Sequence, residues 1–214
     1  VNLTDALRTH RLLAIVRGPD PEAALAAVLT LADSGVALIE VSLTSADALG
    51  TLRRARAALG PGFGLGAGTV LSVADARAAA DAGVSFLVTP ALAESLDEAL
   101  RLGLPVLAGA LTPTEVLGAR AAGAAAVKLF PASIGGPGYL GALRDPLPDV
   151  PFVPVGGVDA ESARQYLARG AVAVGVGSPL LGDAVRGGDL DALRARAAAF
   201  RAAVADAPVV PSSR

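Results

Sequence analysis

The segment GLGAGTVLSVADARAAADAGVSFLVTPALAESLDEALRLGLPVLAGA, residues 64–110, decides the fold. Gly64–Val70, Phe86–Thr89 and Val106–Ala110 read as three short buried strands. Between them, residues 72–82 and 93–102 are Ala- and Leu-rich with charges at helical spacing. Asp81-Ala82-Gly83 supplies a left-handed stop before the second strand. Strands that alternate with helices pair in parallel through right-handed crossovers, because a connection of this length must cross the face of the sheet.

The same unit repeats outward in both directions. Upstream lie the strands Leu12–Arg17 and Leu38–Leu43; downstream lie Ala126–Phe130, Phe152–Gly156 and Ala171–Gly177. Helices are expected over 20–34, 45–58, 112–122, 136–143, 159–168 and 189–205. Asp20-Pro21-Glu22 and Thr112-Pro113-Thr114-Glu115 each place a capping residue before Pro at the first helical position. Asp33-Ser34-Gly35, Ala122-Gly123 and Arg169-Gly170 are further helix stops. Eight such units in 214 residues predict an α/β fold, a compact (β/α)8 TIM barrel. A doubly wound open sheet is the alternative. It would carry a Gly-rich dinucleotide fingerprint after the first strand, where this chain has Arg17-Gly18-Pro19-Asp20. The glycines of Gly64-Leu65-Gly66-Ala67-Gly68 are wrongly spaced for that fingerprint; they let strand three approach a ligand or a neighbouring strand. One barrel domain is expected over residues 1–206, with a loose tail over 207–214.

Composition narrows the chemistry. The chain holds no cysteine and one histidine, His10, so thiolate and imidazole metal sites are excluded and a Ser-His-Asp hydrolase is disfavoured. His10 reads as a surface helix residue. No metal and no cofactor is called for. The net charge of −2 and scattered arginines argue against a nucleic-acid partner. No apolar run is long enough for a membrane span, and the expected compartment is the cytoplasm.

Of the 18 basic residues only Lys128 is lysine, and it lies inside the apolar run Ala124–Pro131. Guanidinium replaces ammonium at surface ion pairs but cannot lose its proton to attack carbon. A lone lysine in a buried strand is therefore a candidate Schiff-base nucleophile, the alternative being a structural lysine whose head reaches water. Glu40, within Leu38-Ile39-Glu40-Val41-Ser42-Leu43, is a candidate general acid/base; the alternative is an internal ion pair. Other polar groups fall at strand ends, where a barrel gathers its function: Arg17, Ser42, Thr44, Thr69, Thr89-Pro90, Gly156-Gly157 and Gly177-Ser178. The glycine pairs after strands seven and eight offer bare N–H groups to a phosphate.

These pieces resemble the class I KDPG/KDPGal aldolases. The resemblance spans nearly the whole chain and rests on Ile39-Glu40-Val41-Ser42-Leu43, Gly66-Ala67-Gly68-Thr69-Val70-Leu71, Val127-Lys128-Leu129-Phe130-Pro131 and Val155-Gly156-Gly157-Val158. It implies cleavage of a 2-keto-3-deoxy-6-phospho sugar acid, galactonate or gluconate, to pyruvate and glyceraldehyde 3-phosphate. By the same resemblance Lys128 forms the Schiff base and Glu40 moves protons. Thr69 would hold the pyruvyl group and Arg17 would contact substrate, with Thr89 and Pro90 beside them. Gly156, Gly157, Gly177 and Ser178 would bind phosphate, and the partners would be the keto acid, pyruvate and two further copies in a homotrimer. Thr44 stands where the phosphogluconate branch commonly has arginine, and the segment Phe130–Leu140 also looks closer to the phosphogalactonate branch. The rival readings are a phosphate-binding barrel isomerase or epimerase, and a 4-hydroxy-2-oxoglutarate aldolase of the same family.

Overall fold

Asp20 begins helix α2 (Pro21–Asp33) by accepting the N–H groups of Glu22 and Ala23, with Pro21 at the first position where no N–H is needed. Thr112 and Glu115 close a reciprocal capping box at α6 (Pro113–Ala121), and Asp159 with Ser162 does so at α8 (Ala160–Ala168). The expected glycine stops at 35, 83, 123 and 170 all adopt positive φ. Local chemistry thus sets the helix ends in a computed structural model that describes residues 2–208.

Eight strands result: β1 (Leu12–Val16), β2 (Leu38–Ser42), β3 (Gly64–Gly68), β4 (Phe86–Val88), β5 (Val106–Ala110), β6 (Ala126–Leu129), β7 (Phe152–Pro154) and β8 (Val174–Val176). All named pairs are parallel, in the order β7-β6-β5-β4-β3-β2-β1-β8. A parallel bridge from Val155 to Gly175 joins the two ends, so the sheet curls into a barrel, as expected from the eight repeats. Gly175 permits that closure, since a Cβ there would lie 2.6 Å from Val155 Cγ2. The remaining helices are α3 (Ala48–Leu59), α4 (Val73–Asp81), α5 (Ser95–Arg101), α7 (Gly136–Arg144), a short α9 (Ser178–Leu181) and α10 (Leu190–Ala205).

Two cores follow from the period-two alternation of the strands. Outward positions such as Leu12, Ala14 and Val16 pack under the helices. Inward positions, among them Leu13, Leu38, Phe86, Leu107 and Val153, fill the barrel. Helix α1 (Leu3–His10), which the strand–helix repeat does not announce, closes the N-terminal end by burying Leu3 and Leu7 in the inner cluster. Thr4 secures it by donating to the Ala125 carbonyl. His10 is an exposed residue of this helix.

Several boundaries differ from expectation. Helix α3 starts at Ala48, not 45, because Ser45 turns back on the Ser42 carbonyl and Asp47, at φ 41°, caps the helix through the Gly50 N–H. Strand β7 stops at Pro154 because Gly156 turns to φ 99°. Strand β8 begins at Val174, not Ala171: before it only the Val172 N–H bonds across, to the Phe152 carbonyl. Of the expected tail, 209–214 lie outside the described residues; Ala207 is buried, and the Arg11 guanidinium donates to the carbonyls of Ala207 and Pro208.

Candidate active site

Parity places the two central side chains. Leu38, Glu40 and Ser42 share the inward face of β2, and Ala126 and Lys128 share that of β6. Glu40 is 1% exposed and Lys128 is 4% exposed, in a barrel interior that is mostly apolar apart from Ser42 and Thr89. Burial is the main cause acting on both. It pushes the Glu40 carboxyl up, against the pull of the Lys128 and Arg17 charges. It pushes the Lys128 ammonium down, Arg17 adds to that, and only Glu40 opposes it. Both groups are thereby moved toward their neutral forms.

The internal ion pair does not form: among the described residues Glu40 makes no salt bridge, and its Oε2 is buried without a hydrogen-bond partner. A buried carboxyl oxygen left unsatisfied is costly and is tolerated where function uses it. Lys128 Nζ instead stands 4.8 Å from the centroid of the Phe130 ring, within cation–π range.

Strand three supplies the space. A Cβ on Gly68 would lie 2.4 Å from Glu40 Oε1, and one on Gly66 would lie 2.3 Å from the Phe86 ring. The glycine run therefore makes room for inward side chains of β2 and β4 at Gly68 and Gly66, while at Gly64, where a Cβ would lie 2.6 Å from the Ala37 carbonyl oxygen, it lets the neighbouring strand come close, as its sequence suggests. Register agrees, because Gly66 pairs with Glu40 and with Phe86.

Just above Glu40, Ser42 Oγ is a hub. It lies 2.9 Å from Thr69 Oγ1 and 2.8 Å from Thr44 Oγ1, and accepts from Arg17 Nε at 3.3 Å; Arg17 also reaches Thr69 at 3.5 Å. Thr69 has φ 59°, a left-handed conformation that strains a β-branched residue by roughly 1–3 kcal/mol. Such strain persists only where the surroundings impose it. Thr89 is buried and accepts the Gly109 N–H, while Gly109 has no Cβ to strike Pro90.

A cavity of about 330 Å³ opens at the strands' C-terminal end. Arg17, Phe130, Gly156, Gly157, Gly177 and Ser178 line it, together with Arg186. Lys128, Glu40, Thr69 and Thr89 do not line this cavity; Phe130, which touches both it and the lysine, is the link. Ser42, named in the sequence among the strand-end polar groups, is the hub of this cluster. Two participants escape the sequence reading: Phe130 and Arg186 carry no local signal, since their positions depend on how separate loops meet. Among the described residues no group of three or more His, Cys, Asp or Glu could hold a metal ion, and no helix is long and apolar enough to cross a membrane.

A buried amine and carboxyl beneath the C-terminal mouth of a (β/α)8 barrel define a barrel enzyme site. The chain belongs to the KDPG and KHG aldolase family, whose profile matches residues 3–195, and so it is an aldolase, a carbon–carbon lyase. It is 38% identical over 194 residues to a probable 2-dehydro-3-deoxy-6-phosphogalactonate aldolase of Rhizobium meliloti (strain 1021), covering 90% of each chain. It is also 38% identical over 171 residues to the 2-dehydro-3-deoxy-6-phosphogalactonate aldolase of Escherichia coli (strain K12), covering 79% of this chain and 83% of that one. A solved structure described as native KDPGal superimposes with a TM-score of 0.86 at 36% identity, over 92% of this chain and 95% of the other.

Proposed function

We propose that this aldolase reversibly cleaves 2-keto-3-deoxy-6-phosphogalactonate to pyruvate and glyceraldehyde 3-phosphate through a Schiff base on Lys128. The observation that carries the reading is the burial of the chain's sole lysine beside an unpaired carboxyl, where its amine is pushed toward the neutral, nucleophilic form.

Lys128 Nζ adds to the C2 ketone, and loss of water leaves an iminium. This cation accepts the electron pair of the C3–C4 bond as that bond breaks. Glu40, as carboxylate, takes the C4 hydroxyl proton, so the departing fragment leaves as an aldehyde. The same carboxyl, now protonated, returns a proton to C3 of the enamine. Water then adds to the iminium and frees pyruvate and the amine. Iminium formation divides one difficult cleavage into easier steps. Thr69 and Ser42 provide hydroxyls for the pyruvyl carboxylate, and Arg17, bonded to both, provides charge. Thr89 and Pro90 border this end, while Gly156, Gly157, Gly177 and Ser178 offer the cavity to phosphate. The names of the relatives and Thr44 support the galactonate epimer: threonine cannot make the bidentate anion contact that arginine makes.

Borohydride reduction in the presence of pyruvate tests the reading. The expected product is a permanent adduct on Lys128 in enzyme that also cleaves the phosphogalactonate acid; adduct absent from Lys128 removes the Schiff base. An isomerase or epimerase would release no pyruvate. A homotrimer is the proposed assembly, supported by the same resemblance and by exposed Leu71, Leu92, Leu117 and Ile134, of which Leu92 rests against Gly118 beside Leu117. Light scattering would read three times the 21.0 kDa chain mass, and a single-chain mass would refute it.

A further inference from the structure

The 330 Å³ cavity has a one-sided charge. Among the described residues its lining includes two ionisable side chains, Arg17 and Arg186, both cationic, and no carboxylate. Neither arginine has a carboxylate partner among the described residues. Arg17 is engaged by the hydroxyls of Ser42 and Thr69, on the pyruvyl side. Arg186 makes no side-chain hydrogen bond among the described residues and stands at the exposed wall, on the 3₁₀ turn Ala184–Arg186 that follows α9.

Two features bring this distant turn to the mouth. Val185 packs on Gly18, the residue after Arg17: a Cβ on Gly18 would lie 2.6 Å from the Val185 carbonyl oxygen and 2.7 Å from its Cβ. The turn itself is held by backbone bonds, Arg186 N–H to Asp183 carbonyl at 2.8 Å and Gly188 N–H to the same carbonyl at 3.1 Å. Two acids lie three residues from Arg186 in sequence: the Asp183 carboxylate lies over Gly188, where an added Cβ would meet it at 2.2–2.5 Å, and the Asp189 carboxylate caps α10 by accepting the N–H groups of Asp191 and Ala192.

We propose that Arg186 is a substrate-binding residue that recognises the terminal phosphate monoester, acting with the Gly156–Gly157 backbone at the far end of the substrate from Lys128. The inference rests on the phosphorylated-substrate reading above and adds the residue that distinguishes phosphorylated from unphosphorylated acids. Backbone N–H groups bind a phosphate dianion but leave its charge uncompensated; a guanidinium supplies both charge and paired donors. The sole lysine is committed to the reaction centre, so arginine is the cation available at this end.

The test compares wild type with Arg186→Ala and Arg186→Gln on 2-keto-3-deoxy-6-phosphogalactonate and on its unphosphorylated counterpart. Inorganic phosphate is titrated into each protein by calorimetry. Loss of a charge-assisted contact should lower kcat/KM for the phosphorylated acid by roughly tenfold to a hundredfold, mainly through KM, and weaken phosphate binding by a similar factor. The ratio of kcat/KM between the two substrates should collapse accordingly. Equal losses on both substrates, or unchanged phosphate affinity, would overturn the inference. The side chain is exposed, and if the alanine variant loses its fold the glutamine variant carries the comparison. A wild-type enzyme that forms no pyruvate adduct would defeat the proposed function instead, and phosphate calorimetry would still judge Arg186.

Discussion

Gly68→Ala separates catalysis from folding more sharply than any change at the reacting groups. The added Cβ would sit 2.4 Å from Glu40 Oε1 and 2.8 Å from its Cδ, so the carboxyl must retreat by about 1 Å to reach ordinary contact. The displaced atoms are the end of a flexible side chain, and Gly68 has no positive φ to forbid alanine. Stability should therefore change by no more than about 1 kcal/mol, since reduced freedom of the unfolded chain offsets the crowding. Activity should respond differently. A misplacement of about 1 Å costs roughly a hundredfold in rate, or about 2.7 kcal/mol of barrier. The companion variant Gly66→Ala drives a Cβ to 2.3 Å from the rigid Phe86 ring, deep in the inner core. It should lose about 1–3 kcal/mol of stability, a fall in Tm of roughly 2–4 °C per kcal/mol. Pyruvate release under saturating substrate, set beside thermal unfolding of both variants, makes the comparison. A Gly68→Ala enzyme with wild-type kcat would refute the placement of Glu40 at the reaction, and with it the reason for glycine on β3.

Lys128→Arg should fold and retain less than about a thousandth of wild-type turnover, because charge survives while nucleophilicity does not; higher residual activity would remove the Schiff base. Burial holds the Lys128 pKa down, so the rate of pyruvate adduct formation should rise with pH to a midpoint below the ordinary lysine value, and a midpoint at or above that value would contradict the burial argument. The sign also fixes a stability effect. Up to its ordinary pKa the lysine binds a proton more readily in the unfolded chain, so its cost to the fold is greatest below the depressed folded value, fades as pH rises from there, and is gone above the ordinary value. Lys128→Met should accordingly be more stable than wild type by about 1 kcal/mol at neutral pH, with the advantage shrinking in alkali; denaturant titrations at the two pH values check it. Ser42→Ala removes the oxygen shared by Thr69, Thr44 and Arg17 and should raise the KM for pyruvate in adduct trapping by roughly tenfold, while kcat for cleavage falls less. Equal losses in both would make Ser42 a packing residue and not a positioning one.

Local information carried much of this protein. The capping residues Asp20 and Thr112 and the glycine stops lie within a few residues of the bonds they make, so helix ends could be read directly. Strand–helix alternation implied parallel pairing, and eight repeats implied a closed barrel. Lys128 stood out because arginine had taken every other basic position. What the tertiary structure alone decided is which side chains share space. Glu40 needs Gly68 on the neighbouring strand, the closure of β7 on β8 needs Gly175 against Val155, and Arg186 reaches the mouth only because Val185 seats on Gly18. The loss of expected strand at 171–173 and the plug formed by α1 belong to the same class. These contacts join residues far apart in the chain, and they are set by steric fit between curved layers; hydrophobic period and turn chemistry, which act over a few residues, carry no record of them.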